Sequence, residues 1–280
     1  MRPQPGQFAP QHASIFGDAS VVVAYRHRPP YPPETFGILL SLIDEQADLR
    51  TVLDAGCGPG AIARELAHAV DRVDAVDIAA PMLDAGRALP GGSHPNVRWI
   101  LGGMETARLN PPYALAVAAS SLHWMHWETV LPRLEETLTP RAWLAVVEEV
   151  VDPEPWRAEL SFIGEYSTNQ DFRPYDMETI VREIAARGLF RRAGTQETGP
   201  MVFRQAIDAY VESFHARNGL SRERMGETAA RKFDALVRAA ARPHCRDDIV
   251  ELRVRARVIW GKPGRPTIPG QDGAKIDQES

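Results

Sequence analysis

Cysteine is almost missing from this chain: Cys57 and Cys245 are the two it has in 280 residues. Lying far apart in sequence and without histidines at ligand spacing, they build neither a disulfide framework nor a zinc site. No metal is therefore expected, and a cytoplasmic location is the default. Lysine is scarce too. Lys232, Lys262 and Lys275 stand among 32 basic residues, and the net charge of −5 comes with acids and bases interspersed, which leaves no cationic stripe for nucleic acid. No apolar run approaches the roughly 18 residues that cross a bilayer, so no membrane association is expected. Residues 1–10 are rich in proline and glutamine with no apolar centre, so no secretory leader is expected there.

What the chain does have is 44% hydrophobic content, enough for a sizeable core, in apolar runs that alternate with helical patterns. Strands are expected near 50–54, 72–77, 97–101, 113–119 and 142–150. That rhythm calls for an α/β fold with a doubly wound, mostly parallel sheet. One helix is expected over 33–47, where Phe36, Leu39, Leu40 and Ile43 share a stripe, and another over 61–70 on Ile62, Leu66 and Val70. After residue 150 the rhythm breaks. Residues 152–175 gather Trp156, Phe162, Tyr166, Phe172 and Tyr175, which read equally as a lid over a small-molecule pocket or as aromatic packing between helices. Further helices are expected over 177–188 ending at Gly188, on Phe203, Ile207, Tyr210, Val211 and Phe214, and on Met225, Ala229, Phe233, Leu236 and Val237. Residues 249–260 alternate as a closing antiparallel strand, and 263–280 lack apolar periodicity and are expected to be disordered.

One segment carries chemistry. Val52-Leu53-Asp54-Ala55-Gly56-Cys57-Gly58-Pro59-Gly60 runs from a short apolar strand through an acid into glycines at alternate positions. Such glycines let the backbone take positive φ and approach a ligand closely. A second strand ends at Asp77, 23 positions after Asp54, where an acid can grip a ribose diol. Asp54 at the turn would repel a pyrophosphate but suits a cationic ligand bearing an amino group.

On these residues the chain resembles the class I S-adenosylmethionine-dependent methyltransferases of the small-molecule type. Ala75-Val76-Asp77-Ile78-Ala79-Ala80-Pro81-Met82-Leu83, Ser121-Leu122-His123-Trp124 and the stretch 131–149 extend the likeness. Tyr25-Arg26-His27-Arg28-Pro29-Pro30-Tyr31-Pro32 is similar to a segment of the trans-aconitate methyltransferase-related group. The resemblance implies a Rossmann-like fold with a seven-stranded sheet, an N-terminal lid and a helical insertion after the fifth strand. It implies a lid segment and first helix over 1–45, a methyltransferase domain over 46–262 with the insertion at about 152–175, and a tail over 263–280.

It also implies roles. Asp54, Ala55 and the backbone of Gly56, Cys57 and Gly58 would face the methionine part of S-adenosyl-L-methionine, or of its product S-adenosyl-L-homocysteine. Asp77 would hold the ribose, and Ile78 and Met82 the adenine. Where the family often has an acid after the third strand, Gly102 is followed by Gly103, Met104 and Glu105, so adenine recognition would fall to the Met104 backbone or Glu105. Ser120 and His123 complete the cofactor contacts, and Tyr25, Arg28 and Tyr31 would form the lid.

For catalysis the resemblance implies methyl transfer to a small organic acceptor, most simply at oxygen, with carbon or nitrogen as alternatives. Cofactor-assisted cyclisation or rearrangement on the same fold is a further alternative, and the protein would work as a monomer or homodimer. Tyr25, His123 and Trp124 are the candidate catalytic residues. His123, with an ordinary pKa of roughly 6.5, would be either a general base or a histidine hydrogen-bonded in the strand-to-helix turn. Trp124 would orient an acceptor carboxylate or pack in the core. His126, His215, Tyr166 and Arg173 are weaker candidates, and Cys57 fills a turn that needs a small side chain.

Overall fold

Apolar runs flanked by glycine and proline turn into five parallel strands in the computed structural model, which describes residues 4–43, 49–152, 157–173 and 175–265. They are β1 (Thr51–Ala55), β2 (Arg72–Asp77), β3 (Val97–Leu101), β4 (Tyr113–Ala119) and β5 (Leu138–Val151), in the order β3-β2-β1-β4-β5. All of β1 is buried because helices cover both faces, and its side chains alternate between two layers. Val52 joins Ile38, Leu39, Ile62 and Leu66 on one face. Leu53 joins Trp127, Leu131 and Leu134 of the helix Trp127–Thr137 on the other. Each such side chain contributes about 1.5–3 kcal/mol by leaving water.

Three more strands complete the sheet: β6 (Phe190–Glu197), β7 (Met201–Ala206) and β8 (Ile249–Pro263). β8 runs antiparallel to β5 and carries β6 and β7 on its other edge. Seven strands were expected and eight are present among the described residues. β6 and β7 share one sheet position, interrupted around Thr198, whose N–H still donates to Ala256 O at 2.9 Å and whose Oγ1 accepts from Ala256 N at 3.0 Å. Pro200, without an N–H, cannot continue the ladder there.

The other departures have physical causes as well. Phe203 belongs to β7, and the helix placed on it begins at Ile207, because β8 offers an edge that captures 201–206 first. Residues 61–70 are helical over Ala63–Leu66 and otherwise turn, although Ile62, Leu66 and Val70 are buried as their spacing implied. The helix expected over 33–47 spans Glu34–Ser41, with 44–48 outside the described residues. Met225 ends a separate short helix before Glu227–Ala241. Of the tail expected over 263–280, the first three residues are held: Pro263 closes β8, Gly264 N donates to Leu189 O at 3.0 Å, and Arg265 pairs with Glu136. Residues 266–280 lie outside the described residues.

Two additions frame the carboxyl edge of the sheet. The helices Ile207–Ser213 and Glu227–Ala241 form a cap, laying Tyr210, Phe233 and Val237, with Phe214 of the turn after the first helix, on Val250, Leu252 and Val254 of β8. Phe162 and Tyr166 of the aromatic stretch pack into this cap against Phe233, so for them interhelical packing is the outcome. Trp156 lies outside the described residues. The N-terminal segment docks beside the cap, with Ile15 and Val21 buried against Ala79 and Met82. Asp18 ties it down by accepting from Arg224 Nε at 2.7 Å and Ser221 Oγ at 2.6 Å.

Gly56 shows how tightly the edge is built. Its φ is +69°, and a Cβ there would lie 2.6 Å from Ser121 Cβ. Gly56→Ala is expected to cost about 2–5 kcal/mol, left-handed backbone and overpacking together. Urea unfolding measures it; a variant as stable as the parent would mean that β4 yields freely.

Candidate functional site

Strand order reverses between β1 and β4, and the crevice beyond their carboxyl ends is where an open α/β sheet binds ligands. The glycine turn lies against β2, with Gly56 N and Cys57 N both donating to Val76 O at 2.9 Å. Asp77 pins it further. Its Oδ2 accepts from Gly58 N and its Oδ1 from Ala79 N, each at 2.8 Å, so one carboxylate fixes the turn and the start of the helix Ala80–Ala88. Burial raises the Asp77 pKa while those N–H groups oppose the rise.

Asp54 lies beneath the turn, 1% exposed. Its Oδ2 accepts from Ala63 N at 3.0 Å, while Oδ1 has no partner among the described residues. Burial, helped by the charge of Asp77, pushes its pKa up to about 7 against the pull of the Ala63 N–H. A buried carboxylate oxygen without a partner, at a turn whose glycines leave the approach open, fits a ligand with a cationic amino group and opposes a phosphate.

The N-terminal segment reaches this turn. The Tyr25 ring comes within 3.9 Å of the position a Cβ would take on Gly58, whose φ is +53°. Arg28 Nη1 donates to Tyr25 Oη at 3.2 Å, and Arg28 Nη2 stands 3.7 Å from Glu149 Oε2 at the end of β5. Tyr31 Oη lies 3.3 Å from Ser120 Oγ at the end of β4. Tyr25, Arg28 and Tyr31 thus bridge the ends of β1, β4 and β5. Burial disfavours the Arg28 charge, yet Tyr25, Glu149 and Tyr31 hold its pKa above the ordinary value.

His123 sits in the turn Leu122–Trp124, 3% exposed, with Nε2 3.0 Å from Tyr175 Oη and its carbonyl accepting from Gln4 Nε2 at 2.7 Å. Burial, then the positive charge of Arg28, lower its pKa to about 3. This corrects the expectation of an imidazole near 6.5: the ring is neutral at physiological pH and a weak base. Trp124 is half-buried, edge-on to Phe8 and Phe16 with ring centroids 5.7 and 5.6 Å away.

The adenine side also departs from expectation. Ile78, 56% exposed beside Asp77, presents an apolar surface. Met82 is instead covered by Ile15 and Val21, and the Met104 side chain is buried in the core. The Met104 carbonyl is engaged by Arg133, and Glu105 Oε1 accepts from His126 N at 2.9 Å, at the start of the helix Trp127–Thr137. Gly103 has little room, since a Cβ would meet Glu105 Oε2 at 2.9 Å.

The weaker candidates have other partners. His215 is buried between Leu220 O and Asp234, His126 is exposed beside Thr129, Tyr166 belongs to the cap, and Arg173 bonds the carbonyls of Gln170 and Phe172. Burial raises the Cys57 thiol pKa, which argues against nucleophilic work. Ser121, whose Oγ donates to Ala55 O at 2.6 Å, and Glu149 lie in stretches that carry the resemblance but were given no role, and Gln4 and Phe8 escaped the sequence reading. An acid at the end of β5 was a usable signal for Glu149; nothing marked Phe8. Among the described residues no three metal-ligating side chains cluster, and no helix is long and apolar enough to cross a membrane.

Residues 52–141 match the family described as a methyltransferase domain. An uncharacterized methyltransferase of Mycobacterium tuberculosis is 39% identical over 111 residues, which are 38% of this chain and 55% of that protein. The chain thus spans about half the length of such curated relatives. A structure from Anaeromyxobacter dehalogenans, assigned as a type II methyltransferase, aligns with a TM-score of 0.57 and 26% identity over 86% of this chain and 99% of its own. Phosphoethanolamine N-methyltransferase 2 of Haemonchus contortus, solved with S-adenosylhomocysteine, shares the fold with a TM-score of 0.53 and 14% identity over 90% of this chain and 59% of its own.

Proposed function

From the premise that this chain carries a class I S-adenosylmethionine-dependent methyltransferase domain, we propose that it methylates a carboxylate oxygen of a small organic acid. The observation that carries the cofactor half is the Asp54 oxygen that has no partner among the described residues, beside the turn that Asp77 pins. Asp54 and the backbone of Gly56 and Gly58 would hold the methionine part, Asp77 the ribose and Ile78 one face of the adenine. When bound there, S-adenosylmethionine supplies an electrophilic methyl group on a sulfonium.

The acceptor half follows from His123. A neutral, buried imidazole with a pKa of about 3 has little power to remove a proton, so an acceptor that is already ionised suits the site. A carboxylate is ionised from about pH 5 upward, and no base is then required. Arg28 supplies a positive field beside it, and the Trp124 indole N–H can orient an oxygen. Tyr25, Phe16 and Phe8, whose rings contact one another or Trp124, would close over the bound ligands and exclude water, which would strengthen every charge interaction inside. Kinship with the trans-aconitate group belongs to the same proposal.

Calorimetry is expected to show S-adenosylhomocysteine binding and NAD binding at least a hundredfold more weakly; comparable affinities would remove the cofactor assignment. A panel of carboxylic acids, phenols and amines with labelled S-adenosylmethionine, read by mass spectrometry, is expected to add one methyl group to an acid. Methylation confined to phenols or amines would overturn the acceptor reading while leaving the cofactor site intact.

A further inference from the structure

We propose that Tyr175 holds His123 in the tautomer with its proton on Nδ1, so that this buried nitrogen donates a hydrogen bond to an oxygen of the bound acceptor. The proposal rests on the methyltransferase reading above and assigns Tyr175 as a positioning residue.

Three observations carry it. The Tyr175 hydroxyl lies 3.0 Å from His123 Nε2, so a single proton is shared between them in one of two senses. A phenol is a stronger acid than a neutral imidazole, and the bare imidazole nitrogen accepts more strongly than a phenol oxygen, so the hydroxyl donates to Nε2. The neutral ring then carries its one proton on Nδ1. That atom is buried and has no partner among the described residues. A buried N–H left unpaired is costly and rare, and this one belongs to a turn whose Ser121 packs on Gly56 of the glycine turn, so we read it as a donor awaiting an oxygen of a ligand held there.

The ring has no easy way to reorient. Phe8, Trp124 and Tyr175 surround it with centroids 5.0, 4.9 and 5.1 Å away, and Gln4 anchors its carbonyl. A flip would break the Tyr175 bond. Ser121, two residues earlier, bonds Ala55 O in β1, which keeps the turn that bears His123 beside the glycine turn. The chemical consequence is selectivity. An Nδ1–H welcomes a carboxylate or carbonyl oxygen and repels a protonated amine, which has no lone pair to offer.

Nitrogen-15 spectra of protein labelled at histidine test this without any acceptor, with the His123 resonances identified by their loss in His123→Gln. Wild type at pH 7 is expected to show His123 protonated at Nδ1 and bare at Nε2. In Tyr175→Phe, which removes one hydroxyl, the proton is expected to redistribute toward Nε2. A wild-type ring protonated at Nε2, or a pattern unchanged in Tyr175→Phe, overturns the proposal. S-adenosylhomocysteine affinity in Tyr175→Phe is expected to stay within about twofold, and kcat/KM for an identified acid to fall about tenfold, mainly through KM. Failure of wild type to bind S-adenosylhomocysteine would sink the methyltransferase reading and leave the tautomer result standing.

Discussion

Asp54→Asn is expected to make the free protein more stable while crippling its hold on the cofactor. Burial and the charge of Asp77 raise the Asp54 pKa from 3.8 to about 7. The folded state therefore binds a proton more tightly than the unfolded chain. Stability from this group is highest below about pH 4, declines as pH rises towards 7, and is flat above that, where the strain of the buried charge reaches about 4 kcal/mol. Asparagine keeps an acceptor for the Ala63 N–H and carries no charge, so thermal unfolding at pH 8 is expected to shift up by several degrees. Cofactor binding has the opposite sign. A cationic amino group favours the ionised carboxylate, so S-adenosylhomocysteine affinity in wild type is expected to rise with pH up to about 7 and to fall about tenfold per unit well below it. In Asp54→Asn that slope should vanish and affinity should drop at least tenfold. A flat wild-type profile between pH 5.5 and 8 would show that Asp54 does not meet the ligand's charge.

Asp77→Ala carries the other large effect. The carboxylate holds Gly58 N and Ala79 N, so its removal frees the turn as well as any ribose contact. Bonds to a charged group are worth about 1.5–3 kcal/mol each, and S-adenosylhomocysteine affinity is expected to fall at least a hundredfold. Asp77→Asn retains one acceptor oxygen and should lie between, about tenfold weaker than wild type. If calorimetry gave both variants wild-type affinity, the glycine turn would be held by Val76 O alone.

The strands were legible because burial on both faces leaves an unbroken apolar signature, as in β1 and β4, and because glycine spacing after Asp54 has few other uses. Helix bounds were less so: residues 61–70 carry a helical stripe, but the turn that Asp77 and Val76 pin consumes its first residues. β7 was missed because its capture depends on the neighbouring edge of β8, a contact far away in sequence. At the site, residue types were readable and environments were not. Nothing local to His123 tells that Phe8, Gln4 and Tyr175 surround it, and burial is what weakens this candidate base. Met82 likewise looked like a ligand contact until Ile15 and Val21 covered it.

β8 has a mechanical consequence. Its 15 residues pair with β5 over 254–261 and carry the cap's apolar floor over 250–254, so one unbroken strand is a beam common to cap and sheet. The two cannot swing apart without shearing that ladder, whereas the stretch from Gln4 to Tyr31, proposed above as the cover of the crevice, is held to the cap through side chains. Among those side chains the Asp18 pair with Arg224 is near the surface and open to screening. If release of that pair is what admits the ligand, the association rate measured by stopped flow is expected to rise as salt is raised from low to physiological levels, the reverse of what electrostatic attraction of an acid toward Arg28 would give.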